Sequence, residues 1–153
     1  MHVPSVPHLT LEQPVGASLI TAAGRGRSIP LTLRYTAGDP LAAHIDFPAH
    51  VTADGEVTSW TFARELIARG LTAPAGPGAV RVRPYGPDGT LVELRTPHGT
   101  AALRFDTAVL RRFLLRTYAV VAAEEDTAGA AEEDTMGAAL GDGVTELHGR
   151  RAS

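Results

Sequence analysis

Cysteine is absent from the 153 residues, which excludes disulfide scaffolds, thiolate metal sites and cysteine nucleophiles. Lysine is absent as well, so all fourteen basic residues are arginine. No apolar run approaches the roughly 18 residues a membrane-spanning helix needs. The opening Met1-His-Val-Pro-Ser-Val-Pro7 has neither the basic region nor the apolar stretch of a signal peptide. These absences predict a soluble, cytoplasmic protein. A formal net charge of −3 argues against binding to nucleic acid by bulk electrostatics.

Proline and aromatics are distributed unevenly. Every proline lies at or before Pro97, and all eight aromatics fall between Tyr35 and Tyr118. Residues 1–123 hold twelve arginines against nine acids, a charge of +3; residues 124–153 hold two arginines against eight acids, a charge of −6. The acidic stretch repeats Ala-Ala-Glu-Glu-Asp-Thr at 122–127 and again at 130–135. It has too little apolar surface to offset the entropy of ordering. The sequence therefore predicts one domain over 1–123 and an acidic tail over 124–153, disordered or a frayed extension of the helix before it.

Within the body, period-two alternation marks strands. It runs through Ile29, Leu31, Leu33 and Tyr35; through Ala43, Ile45 and Phe47; and through Trp60 and Phe62. It returns through Val80 and Val82, Val92 and Leu94, and Ala101, Leu103 and Phe105. Turn chemistry at Thr36–Pro40, Ala53–Gly55, Pro87–Gly89 and Pro97–Gly99 separates the runs. An earlier strand over Leu9–Ile20 carries Pro14 and Gly16, which predicts an edge or bulged strand. A short helix is expected over Phe62–Arg69, capped by Thr61 and closed by Gly70 in the left-handed conformation, with Leu66 and Ile67 inward. A long helix follows Asp106 as cap, with Val109, Leu110, Phe113, Leu114, Thr117, Val120 and Val121 as its buried stripe. The class is α+β: antiparallel sheets of about seven strands with one short and one long helix.

Chemistry is sparse. His44 and Asp46 share a strand face and His50 follows, a start towards a metal site, but a solvated face explains the first two and a loop position the third. No metal ligand set and no cofactor is assigned. There is no Gly-x-Ser-x-Gly elbow, and Gly76-Pro-Gly78 precedes a strand where a dinucleotide site needs a helix. Gly24-Arg-Gly-Arg27 reads as a hairpin connection. No catalytic residue is assigned, and the chain is not read as an enzyme. Arg81, Arg83, Arg95 and Arg104 share the outer face of the second set of strands, the pattern that keeps single-strand nucleic-acid binding as the alternative; the aromatics, however, lie on core faces, and only Tyr85 is free to stack. Off the apolar stripe of the long helix, Leu115 and Tyr118 stand beside Arg112 and Arg116, which makes these four the candidate partner-binding residues.

Four segments in order carry a resemblance: Leu31–Pro40 with Leu33, Tyr35, Asp39 and Pro40; Trp60–Leu71 with Trp60, Phe62, Arg64, Leu66, Gly70 and Leu71; Gly78–Pro84; and Phe113–Thr117. Together they resemble the SsgA-like family of actinomycete sporulation and cell-division proteins, and the all-arginine bias fits a GC-rich actinomycete genome. The resemblance implies a fold similar to the Whirly type and association as a homotrimer. It also implies a non-catalytic role in septum formation or spore maturation at the cell septum, with the tubulin-like division protein FtsZ or other SsgA-like members as partners. The signature residues themselves read as structural, explained by packing and capping.

Overall fold

The computed structural model describes residues 8–21, 26–52 and 54–140, with side chains described through Asp126. Seven strands and two helices follow in chain order. They are β1 (Thr10–Ile20), β2 (Gly26–Thr36), β3 (Ala42–Phe47), β4 (Thr58–Ala63), α1 (Arg64–Gly70), β5 (Val80–Tyr85), β6 (Gly89–Thr96), β7 (Gly99–Asp106) and α2 (Thr107–Leu140). All seven strands join in one antiparallel sheet of order β4-β3-β2-β1-β7-β6-β5. The α+β class and strand count agree with the sequence reading, and the two sets of strands meet where Ser18–Ile20 pair with Ala102–Arg104.

The register makes one face apolar. One row runs Gln13, Leu33, Ile45 and Trp60 across β1 to β4, and another runs Leu19, Leu103, Val92 and Val82 across β1 to β5. α2 lies on this inner face, burying Leu110, Phe113 and Leu114 against Leu33, Tyr35 and Phe105. Each such large apolar side chain contributes about 1.5–3 kcal/mol by burial. Gln13 is the polar exception in its row: its Nε2 donates to Val109 O at 3.4 Å and its Oε1 accepts from Arg116 Nη1 at 2.8 Å, so both ends meet α2. The hairpin of β6 and β7 closes on Pro97 and His98, with Gly99 at φ +127°, a conformation glycine adopts without a Cβ clash.

Several expectations are corrected. β1 is the central strand, paired one-to-one with β2 from Thr10 to Ile20, without a bulge. Its ladder to β7 covers only Ser18–Ile20, so Pro14 and Gly16 stand where the strand is laddered on one flank. Thr61 and Phe62 belong to β4 and not to α1. The alternation that turns Trp60 and Phe62 inward extends the strand, and Ala63 occupies the N-cap position without a side-chain cap. Gly70 is not left-handed either, since Leu71 after it continues at φ −67°, ψ −26°. The glycine is needed for close approach: a Cβ there would stand 2.2 Å from Val82 Cγ1, so α1 rests directly on β5. At the start of α2, Asp106 Oδ1 accepts from Arg104 Nη1 at 2.9 Å, and Thr107 N donates to Asp88 O at 2.9 Å. The helix runs past Glu124 to Leu140. His2, His148 and Gly24-Arg25 lie outside the described residues.

Candidate partner-binding site

Tyr35 ends the buried row of β2 with its ring fully enclosed. Its hydroxyl donates to Pro40 O at 2.8 Å, closing the Thr36–Pro40 turn on itself, and accepts from Arg64 Nη1 at 3.2 Å. Burial pushes the Tyr35 phenol above its ordinary value, partly opposed by the Arg64 charge. Arg64 opens α1, and its backbone N–H donates to Leu41 O at 2.8 Å, which ties the β2–β3 turn to the helix. Its guanidinium lies between two rings, 5.2 Å from the Tyr35 centroid and 4.4 Å from that of Tyr118. Nη1 also reaches Thr117 Oγ1 at 3.4 Å, while that hydroxyl donates to Leu114 O at 2.6 Å. Among the described residues no carboxylate pairs with Arg64; aromatic faces and hydroxyls hold the cation instead.

This places signature residues and predicted contact residues side by side. Leu33, Tyr35 and Phe62 are buried, and Trp60, Leu66 and Leu71 are half-buried against the same core. Asp39 and Pro40 are exposed on the turn. Of the four candidate contact residues, Tyr118 is 44 % exposed above Arg64 and Leu115 is 64 % exposed. Arg112 is exposed, while Arg116 reaches back to Gln13. Leu41, 77 % exposed, adds an apolar side chain that sequence reasoning missed; its place after Pro40 carried no signal, because exposure of a turn residue depends on what packs beside it. Near the same end, Glu124 pins α2 to the start of β1, its carboxylate accepting from Leu9 N at 3.0 Å and lying 2.8 Å from His8 Nδ1. Both contacts hold that carboxyl below its ordinary value.

The outer face of β2–β4 is occupied by an internal polar network. Asp46 accepts from Arg34 Nε at 2.7 Å, Arg34 Nη2 at 3.1 Å and Ser59 Oγ at 2.6 Å. The Arg34 bonds hold the Asp46 carboxyl below its ordinary value. His44 is only 9 % exposed, against the solvated position the alternation predicted, because Arg34 and Thr61 flank it from the neighbouring strands. Its Nδ1 lies 2.8 Å from Thr61 Oγ1, and burial with the Arg34 charge lowers its pKa. Among the described residues no three histidine or acidic side chains gather as a metal group. The outer arginines are partly matched: Arg83 pairs with Glu93 at 3.2 Å and Arg104 with Asp106. Tyr35, Phe62, Phe105 and Phe113 are buried, and exposed Tyr85 lies under Arg83 at 5.8 Å.

The fold and this face define an α+β domain that exposes apolar Leu41, Leu115 and Tyr118 and stacks Arg64 on the Tyr118 ring. Among the described residues no helix is long and apolar enough to cross a membrane. The chain belongs to the SsgA family: residues 29–126 match the family described as the Streptomyces sporulation and cell division protein SsgA. It is 42 % identical over 132 residues to the sporulation-specific cell division protein SsgB of Kineococcus radiotolerans, covering 82 % of this chain and 78 % of that protein. It is 43 % identical over 116 residues to SsgB of Salinispora tropica, covering 74 % and 80 %. Among solved structures, it is similar to SsgB as studied for mutations that correlate to longitudinal cell division during sporulation of Streptomyces coelicolor. That match has a TM-score of 0.65 at 29 % identity, over 95 % of this chain and 99 % of that one. The SsgA-like sporulation-specific cell division protein of Thermobifida fusca matches with a TM-score of 0.62 at 34 % identity, over 81 % and 91 %.

Proposed function

We propose that this chain serves cell division during sporulation as a non-catalytic adaptor in septum formation or spore maturation, through protein contacts on the Arg64 face. The observation that carries this is an exposed cluster: Tyr118 stacks on Arg64, Leu115 precedes Tyr118 by about one helical turn, exposed Leu41 is tied to Arg64 through the backbone, and no described carboxylate pairs with that cation. Exposed apolar side chains around a partly desolvated arginine resemble the centre of a protein interface more than a solvated surface. Family membership supports the process, since curated relatives are named sporulation-specific cell division proteins. In this reading the body over 1–123 makes the contacts, from the cytoplasm to the septum, as a homotrimer. Its partners are other SsgA-like chains or the tubulin-like division protein FtsZ.

The test is complementation of a strain lacking the gene with Leu41→Asp/Leu115→Asp, positions where burial costs little. The expected result is normal protein level, an unchanged melting temperature and failure to restore sporulation septa. Full restoration of septa by this variant overturns the assignment of the face.

A further inference from the structure

At the β5 end of the sheet, Arg81, Arg83 and Arg95 on the outer face and Arg69 at the end of α1 stand around one acid, Glu93. Arg69, Arg81, Arg83 and Glu93 line a cleft of about 490 Å³ between the end of α1, the Pro74–Pro77 segment and β5. A smaller hollow beside Arg81, Glu93 and Arg95 adjoins it. Glu93 accepts from Arg83 Nε, and among the described residues no carboxylate pairs with Arg69, Arg81 or Arg95. Unmatched guanidinium groups along one cleft repel each other and favour an anionic occupant.

The complementary charge lies at the opposite end of the same chain. Residues 124–153 carry eight acids against two arginines, with Glu-Glu-Asp occurring twice. The register shows that the helical part of this segment, residues 124–140, leads away from the cleft of its own copy. Arg81 lies level with Glu93, Ala102 and Ile20, at the end of β1, whereas Glu124 is bound at Leu9, where β1 begins. Eleven residue steps, about 36 Å, separate these levels. α2 starts just past β7, whose Arg104 is level with Ser18, and reaches Leu9 at Glu124, so its course is away from Ile20. The sixteen helical residues from there to Leu140 add about 24 Å in the same direction.

We infer that the acidic repeat of one copy docks in the Arg69–Arg81–Arg83–Arg95 cleft of a second copy. The contact joins unlike surfaces head to tail, so it closes a ring or extends a chain of copies. It uses neither Leu41, Leu115 nor Tyr118, so its failure leaves the Arg64 face untouched. Being an exposed charge contact, it weakens with salt.

The test is the light-scattering mass of the full chain at about 50 mM and about 500 mM sodium chloride, a range over which screening rises steeply. It compares the unmodified protein with Arg81→Glu/Arg95→Glu and with Glu132→Gln/Glu133→Gln/Asp134→Asn. The second variant alters only the helix beyond the sheet, so its folding is not in question. The expected result is a mass above the monomer that falls in high salt, with the salt-labile part missing from both variants. Mixing Arg81→Glu/Arg95→Glu with Glu132→Arg/Glu133→Arg/Asp134→Arg is expected to restore it. A mass indifferent to salt and unchanged by the repeat variant overturns the inference. So does an unchanged mass together with binding of a labelled oligo-dT strand that Arg81→Glu/Arg95→Glu abolishes, since the occupant is then nucleic acid.

Discussion

The outer face of one sheet is finished in two different ways. On β2–β4, Arg34 meets Asp46, Asp46 meets Ser59, and His44 meets Thr61, so each polar group has a partner across the strand. On β5–β6, Arg83 takes the one acid, Glu93, and Arg81 and Arg95 stand out from strands of the same kind with no ion pair among the described residues. Cross-strand pairing neutralises the first half from within, and that half reads as structure. Charge left over in the second half is available to something outside the fold. Two arginines separate the roles most sharply: Arg34 is consumed by a carboxylate, and Arg64 is held by rings at a surface that stays open.

The largest expected effect comes from beneath both halves. Phe105→Ala, in the strand that joins them and fully buried, should cost about 3–5 kcal/mol in a denaturant melt; a smaller loss would mean the core beneath β7 collapses around the gap. Next comes the paired half. Asp46→Asn leaves Arg34 without its counter-charge and should cost about 1–3 kcal/mol at neutral pH, while a cost near zero would place the network on the same footing as the unpaired half.

Acid should then dissect the network. The buried His44 is held below its ordinary 6.5, so the folded protein takes up fewer protons than the unfolded chain as pH falls through that value. Stability should decline from about pH 6.5 downward, and His44→Gln should flatten that part of the profile of melting temperature against pH. Asp46, held below its ordinary 3.8 by Arg34, contributes fully above that value, and its share is lost only as pH falls further. The smallest effect belongs to the unpaired half: Arg81→Gln/Arg95→Gln should change stability by no more than about 0.5 kcal/mol per site. A larger loss in a thermal melt would show that these arginines hold the sheet together and erase the contrast.

The parts of the site that were legible in sequence are those with a local cause. Leu115 and Tyr118 fall off the stripe of Leu110, Phe113, Leu114 and Thr117 by helical spacing alone, and both are exposed. Leu41, Arg34 and Gln13 carried no comparable signal, because what each touches lies on an element distant in sequence. His44 was misplaced for the same reason: alternation says which face a side chain takes, and its neighbours on β2 and β4 decide whether that face is wet.

Sequence alone determined the inward and outward side of nearly every strand, the buried stripe of α2 and the charge divide near Glu124, since periodicity and composition act over a few residues. The tertiary structure decided that β1 is central, that Gly70 is there for Val82, and that Arg64 lies between Tyr35 and Tyr118. Those outcomes depend on which elements meet, and contacts between residues tens of positions apart leave no pattern in either segment by itself.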